Sequence, residues 1–277
     1  MDNYTLINKK IILSQDAKIS VAQRCCRFGD GIFETIKIVN GKIYDYKAHK
    51  ARLDFGLQAL QIKVDISYLP EKLMELITKN AIKDGVLRLF VSRGEGSLGY
   101  LPKDDIEALI VAEISTNHKI SSNRIRLGIS KIRLQKRPNF LQKCKTMQGL
   151  NYILAKIAAK KIGNFDDILL NEKNYIAECS SYNIFWIKNN KIFTPSMKCD
   201  ILPGIIRQKI IKKFKVNLVT AKLQSLQNAD EVFITNSNFL VLNVDEIDFA
   251  GKKIKYKKNL GIKILDFIKE DIEKQCR

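Results

Sequence analysis

Asp30-Gly31-Ile32-Phe33-Glu34-Thr35-Ile36-Lys37-Ile38-Val39, then Asn40-Gly41, then Lys42-Ile43-Tyr44-Asp45-Tyr46, sets the fold class of this chain. A β-branched run, an Asn-Gly pair and a second extended run predict a hairpin, because Asn and Gly tolerate the positive φ of a two-residue turn. From Lys47 the period changes. Ala48, Ala51, Leu53, Leu57 and Leu60 fall at helical spacing, and that helix gives way to an extended run over 62–66. Pro70 opens a second helix over 70–84. A strand over 86–94, a Gly-rich loop and a strand over 107–114 complete a first α+β domain, residues 1–113.

The polar stretch 114–123 lacks apolar periodicity and reads as an interdomain linker. In the second domain, 124–277, the pattern predicts a strand over 125–134, a helix over 150–163 and a strand over 166–171. Strands over 175–188 and 191–196 follow, joined by Asn189-Asn190, and then a helix over 205–214. Strands over 216–223 and 230–238 and a closing helix from residue 256 end the chain. Without a regular βαβ alternation, the class is α+β rather than a doubly wound sheet.

A chain of 277 residues exceeds what one core usually sustains, which agrees with two domains and places a ligand cleft among the expectations. The net charge of +19 raises nucleic-acid binding, but the lysines are dispersed singly or in pairs such as Lys160-Lys161 and form no stripe with interleaved aromatics. The expectation is no nucleic-acid partner. No apolar run reaches the ~18 residues needed to span a bilayer, and the first residues lack the apolar core of a signal peptide, so a cytoplasmic protein is expected. The six cysteines include no CxxC pair and only His49 and His118 are present, which disfavours a zinc site, a disulfide framework and a histidine triad.

Five segments carry side chains that can do chemistry. Lys143-Cys144-Lys145-Thr146 precedes a helix; a lysine amine becomes a nucleophile when burial or neighbouring charge lowers its pKa, although in this place it is equally a surface lysine. Ala177-Glu178-Cys179-Ser180-Ser181-Tyr182-Asn183 puts a carboxylate where a strand turns, or is a plain edge turn. Ile201-Leu202-Pro203-Gly204-Ile205-Ile206-Arg207 feeds a tight turn into a helix whose first N–H groups suit an anion. Thr235-Asn236-Ser237-Asn238 ends an apolar strand, as a cap or as a set of donors. Arg52 lies on the helix after the hairpin.

Taken in order, RFGDGIFETIKIVNGKI (27–43) with HKARL, the lysine, AECSSYNIFW, LPGIIRQ and DEVFITNS resemble the successive signatures of fold-type IV pyridoxal-phosphate enzymes, the class IV aminotransferase-like group. The resemblance runs from about residue 20 to residue 245. It implies the two-domain fold of D-amino-acid aminotransferases, pyridoxal 5'-phosphate as cofactor, and a homodimer in which a first-domain loop helps to cover the partner's active site. Members place the cofactor lysine at a set distance before the glutamate, and Lys145, 33 residues ahead of Glu178, fits better than Lys143. By similarity, Lys145 holds the cofactor as a Schiff base and shuttles protons. Glu178 meets the pyridine nitrogen, and Leu202 packs on one ring face. Arg52, the N–H groups of Ile205 and Ile206, and Ser237 meet the phosphate. Many relatives carry Thr where Ile206 stands, so only its main-chain donor is implied. A tyrosine shortly after the lysine often reaches the ring hydroxyl; Tyr152, seven residues on, does not match that spacing.

The first-domain loop Ser92-Arg93-Gly94-Glu95-Gly96-Ser97-Leu98-Gly99-Tyr100 resembles that of 4-amino-4-deoxychorismate lyases, with Leu98 in place of a basic residue. Thr235-Asn236-Ser237 and the Cys after Glu178 also fit lyases, and the R-x-H trap of D-amino-acid aminotransferases is missing from the loop. The resemblance therefore implies conversion of aminodeoxychorismate to 4-aminobenzoate and pyruvate, with Tyr100, Arg93 and Asn236 toward the substrate. The alternative is an aminotransferase for branched-chain or D-amino acids, which Leu98 would suit.

Overall fold

The computed structural model describes residues 3–96, 98–116 and 124–277. Its contacts divide the chain into two compact units.

The first comprises Met1–His118, Lys143–Gln148 and Ile272–Arg277. Strands β1 (Tyr4–Ile7), β2 (Lys10–Leu13), β3 (Gly31–Val39), β4 (Lys42–Ile43), β5 (Gly85–Ser92) and β6 (Leu109–Thr116) form an antiparallel sheet in the order β2-β1-β6-β5-β3-β4. Helices α1 (Arg24–Phe28), α2 (Tyr46–Ala59) and α3 (Leu69–Lys79) accompany it. The hairpin forms at Asn40-Gly41, with φ of 51° and 73°. Alternation along β3 turns Ile32, Glu34, Ile36 and Ile38 inward, and the three isoleucines join Leu53 and Leu57 of α2 and Leu69, Leu73 and Leu76 of α3 in one core.

Two expectations change here. Residues 62–66 form no strand; Ile62 and Ile66 are buried in the core from a loop. The first domain does not end at 113, because β6 continues to Thr116, paired with Gly85; residues 117–123 of the expected linker lie outside the described residues. The segment holding Lys145 also groups with the first unit, not with 124–277. The reason is main-chain pairing: Phe33 N–H donates to Lys145 O (2.9 Å) and Met147 N–H donates to Gly31 O (3.0 Å), which straps the segment along β3.

The second unit comprises Lys119–Gln142 and Gly149–Asp271. Its strands are β7 (Arg126–Leu134), β8 (Asp166–Asn171), β9 (Ile176–Cys179), β10 (Asn183–Lys188), β11 (Lys191–Pro195), β12 (Val216–Val219), β13 (Glu231–Asn236), β14 (Leu240–Asn243), β15 (Glu246–Phe249) and β16 (Lys252–Lys255). They run β12-β11-β10-β9-β8-β7-β15-β16, with β13 paired to β10 and β14. The helices are α4 (Asn139–Gln142), α5 (Leu150–Lys161), α6 (Ile205–Lys213), α7 (Gln224–Gln227) and α8 (Leu260–Cys276), the last running into the 272–277 segment of the first unit. The expected strand 175–188 is broken in two by a turn over 180–182. That break places Glu178 at a strand end.

A carboxylate lies buried beside the first core: Glu34, 1% exposed. Arg52 Nε and Nη2 donate to its Oε1 (2.8 Å) and Oε2 (2.7 Å), and His49 Nδ1 lies 2.7 Å from Oε2. Burial alone would raise the Glu34 pKa, but the Arg52 charge and the hydrogen bonds from Arg52 and His49 bring it down to about 2 from 4.5. A carboxylate depressed in the folded state adds stability that is complete above its unfolded value and is lost as pH falls through the folded one. Glu34→Gln should therefore destabilise the protein by about 3 kcal/mol at pH 7. In denaturant titrations across pH, that deficit should shrink between pH 4.5 and pH 2; a deficit that stays constant to pH 2 would contradict the assignment.

Candidate active site

In the second unit the site is built around Glu178, 5% exposed at the end of β9. Tyr152 OH donates to Oε1 (2.9 Å), while Asn183 Nδ2 (3.0 Å) and Leu202 N–H (3.1 Å) donate to Oε2. Asn183 opens β10 opposite Glu178, and its Nδ2 also donates to Leu202 O (2.9 Å). The intervening turn is pinned by buried Asp166, which accepts from Ser180 N–H (3.2 Å) and Oγ (2.8 Å). Burial, reinforced by the Glu178 charge, holds the Tyr152 phenol well above its usual pKa, so Tyr152 is a donor at every working pH.

Leu202 leads through Pro203 and Gly204 into α6. A Cβ on Gly204 would lie 2.0 Å from Asn183 Oδ1, so only glycine allows this approach. The first turn of α6 holds Ile205 and Ile206 with no side-chain cap and no acidic residue. Thr235, facing Asn183 across the β10–β13 ladder, is 2% exposed, and its Oγ1 has no partner among the described residues. Arg207, in the first turn of α6, donates from Nη2 to Pro195 O (2.7 Å); burial lowers its pKa to about 10, against the opposing pull of Glu178.

In the first unit Lys145 is half-buried, its Nζ 4.2 Å from the centre of the Phe33 ring. The loop after β5 is clamped from below. Arg24, buried and stacked 4.9 Å over Phe28, donates to Asp30 (2.7 Å), Gly99 O (3.0 Å) and Tyr100 O (2.7 Å).

Two residues expected to face a substrate have internal tasks. Arg93 donates to both oxygens of Asp30 (2.8 and 3.2 Å), to Leu60 O (2.7 Å) and to Gln61 O (3.0 Å), which commits its guanidinium to tying the loop to the end of α2. Asn236 Oδ1 accepts from the N–H groups of Asn238 (3.1 Å) and Phe239 (2.7 Å), and its Nδ2 donates to Ser181 O (3.2 Å); it builds the turn after β13. Arg52 is engaged by Glu34 in the core of the first unit. Tyr100 is 86% exposed, and Ser237 is half-buried in the turn after β13.

The sequence profile of the class IV amino-transferases matches residues 31–247. The chain belongs to this family. It is 30% identical over 281 residues to a probable branched-chain-amino-acid aminotransferase of Rickettsia conorii, covering 98% of this chain and 95% of the relative. It is 28% identical over 249 residues to an aminodeoxychorismate lyase of Vibrio harveyi, covering 86% of this chain and 90% of that one. Among solved structures, the Escherichia coli branched-chain amino acid aminotransferase superposes with a TM-score of 0.87 at 22% identity, covering 98% of this chain and 94% of that chain.

Enzymes of the family depend on pyridoxal 5'-phosphate, and this chain is such an enzyme. The side chains present fit that group. An uncapped helix start without acids, beside a buried hydroxyl that lacks a partner among the described residues, suits a phosphate. A buried carboxylate that accepts from Tyr152, Asn183 and Leu202 suits a protonated ring nitrogen.

Sequence reasoning missed the Glu34–His49–Arg52 cluster and the Arg24–Asp30 clamp. The first was open to detection, because the parity of β3 puts Glu34 among Ile32, Ile36 and Ile38, where a carboxylate needs a cation. The clamp left no such signal.

Proposed function

We propose that the enzyme is a 4-amino-4-deoxychorismate lyase that releases pyruvate and 4-aminobenzoate, acting in the cytoplasm. The observation that carries this reading is the first-unit loop from Ser92 to Tyr100, lyase-like in sequence, whose main chain Arg24 clamps at Gly99 and Tyr100. The clamp holds the main chain at Gly99 and Tyr100, and among the described residues of the loop Leu98 and Tyr100 are 84% and 86% exposed, with Glu95 exposed as well.

When bound, pyridoxal phosphate supplies an electron sink that acidifies the C–H bond next to the substrate's amino nitrogen. Lys145 would carry the cofactor and, its amine set free when the substrate's amino group takes its place, would take the C4 proton as general base. The electrons of that C–H bond would form the third ring double bond and expel the enolpyruvyl oxygen, the departing enolate would take up a proton to become pyruvate, and the ring would become aromatic. Glu178 faces the ring nitrogen, and Leu202 supports the ring. The N–H groups of Ile205 and Ile206, with Ser237 and Arg52, hold the phosphate.

A second reading, branched-chain aminotransferase, is favoured by the Rickettsia conorii relative and by apolar Leu98 where lyases commonly carry a basic residue. Both readings use the same lysine and part only after the proton has been removed.

We also propose a homodimer. Leu150, Ile153, Leu154 and Ile157 of α5 lie at i, i+3, i+4 and i+7 and are all exposed, forming one apolar stripe that a second copy can cover isologously.

Two outcomes are expected. One preparation, given aminodeoxychorismate in one assay and leucine or D-alanine with a keto acid in another, should release pyruvate in the first and show little turnover in the second; turnover of the amino acids without pyruvate release would sink the lyase reading. In light scattering the protein should have twice the chain mass and Ile153→Glu/Ile157→Glu should be monomeric, whereas a monomeric wild type would rule out the dimer.

A further inference from the structure

We infer that Tyr152 is a positioning residue whose hydroxyl sets the basicity of Glu178, and through it the electron demand of the cofactor ring. This rests on the reading that Glu178 faces the ring nitrogen. Tyr152 lies on the face of α5 opposite the exposed stripe, with Ala155 and Ala159, which are both fully buried. Its ring packs against the core made by Leu134, Ala155, Leu169, Ala177, Cys199 and Ile201. Packing holds the ring, and its hydroxyl donates to Glu178 Oε1 at 2.9 Å.

The donors to Glu178 differ in kind. Leu202 N–H belongs to the main chain, and Asn183 Nδ2 is locked by a second bond to Leu202 O. Both act on Oε2, through elements local to the turn. Tyr152 alone of these reaches Oε1, and it comes from a separate helix. A hydrogen bond to an ionised carboxylate favours the ionised form. With Tyr152 in place, a proton shared between Glu178 and the ring nitrogen lies toward the nitrogen, and the ring is a stronger electron sink. Without it, the proton moves toward Glu178 and the ring becomes electron-richer.

The hydroxyl can be removed with little change of shape by Tyr152→Phe, with Glu178→Gln as the reference. Three quantities decide the matter: the pH midpoint of the bound cofactor's absorbance change, the melting temperature of the cofactor-free protein, and kcat and KM. In Tyr152→Phe the midpoint should rise by at least about half a unit, the equivalent of a fraction of one hydrogen bond to a charged group. kcat should fall while KM stays near its wild-type value, and Glu178→Gln should shift the midpoint further in the same direction. If Glu178→Gln shifts the midpoint and Tyr152→Phe leaves it at the wild-type value, Tyr152 has no such role and the reading of Glu178 stands. A lower melting temperature in Tyr152→Phe with an unmoved midpoint would assign the tyrosine to packing alone and overturn the inference. If neither variant moves the midpoint, the reading of Glu178 itself fails, and the inference with it.

Discussion

A carboxylate withdrawn from water must be met by donors, or it protonates or pulls its surroundings apart. Glu178 is such a carboxylate, and the architecture of the second unit reflects the need to satisfy it. The turn after β9 brings Asn183 back opposite Glu178. The chain before α6 bends so that Leu202 presents its N–H, and Gly204 comes next because a side chain there would strike Asn183. Tyr152 of α5 adds a donor to Oε1. The uncapped start of α6 is thus placed by the same bonds that hold the acid.

The first unit solves a similar problem with charge. Glu34, forced inward by the parity of β3, recruits Arg52 and His49 from one face of α2 and fixes that helix on the sheet. The opposite parity puts Phe33 on the other face, where the Lys145 segment is strapped and the lysine amine lies near the ring. Backbone pairing fixes the position of Lys145 along β3.

Features governed by local chemistry were legible in the sequence. The hairpin at Asn40-Gly41 and the turn at Asn189-Asn190 needed only residues that tolerate positive φ, and all four have it. The start of α6 was announced by Pro203-Gly204. Strands of four residues such as β1, β2, β14, β15 and β16 were not seen, because segments so short are defined by their partners in the sheet more than by their own composition. Lys145 and Glu178 emerged from the order and spacing of motifs. The bond from Tyr152 to Glu178 did not, since it joins residues 26 apart through a packed core. Arg93 and Asn236, expected toward the substrate, also make internal hydrogen bonds that their sequence context does not announce. Residue type reveals how many donors a side chain has, and only the fold reveals that they are already committed.

The proposed chemistry depends most on one assignment, that the lysine strapped along β3 is the one to carry the cofactor. Reduction of the cofactor-loaded enzyme with borohydride, and then proteolysis and mass mapping of the labelled peptide, tests it directly. The pyridoxyl group should be found on Lys145. A label on Lys143, two residues earlier, or on a lysine elsewhere in the chain would contradict that assignment.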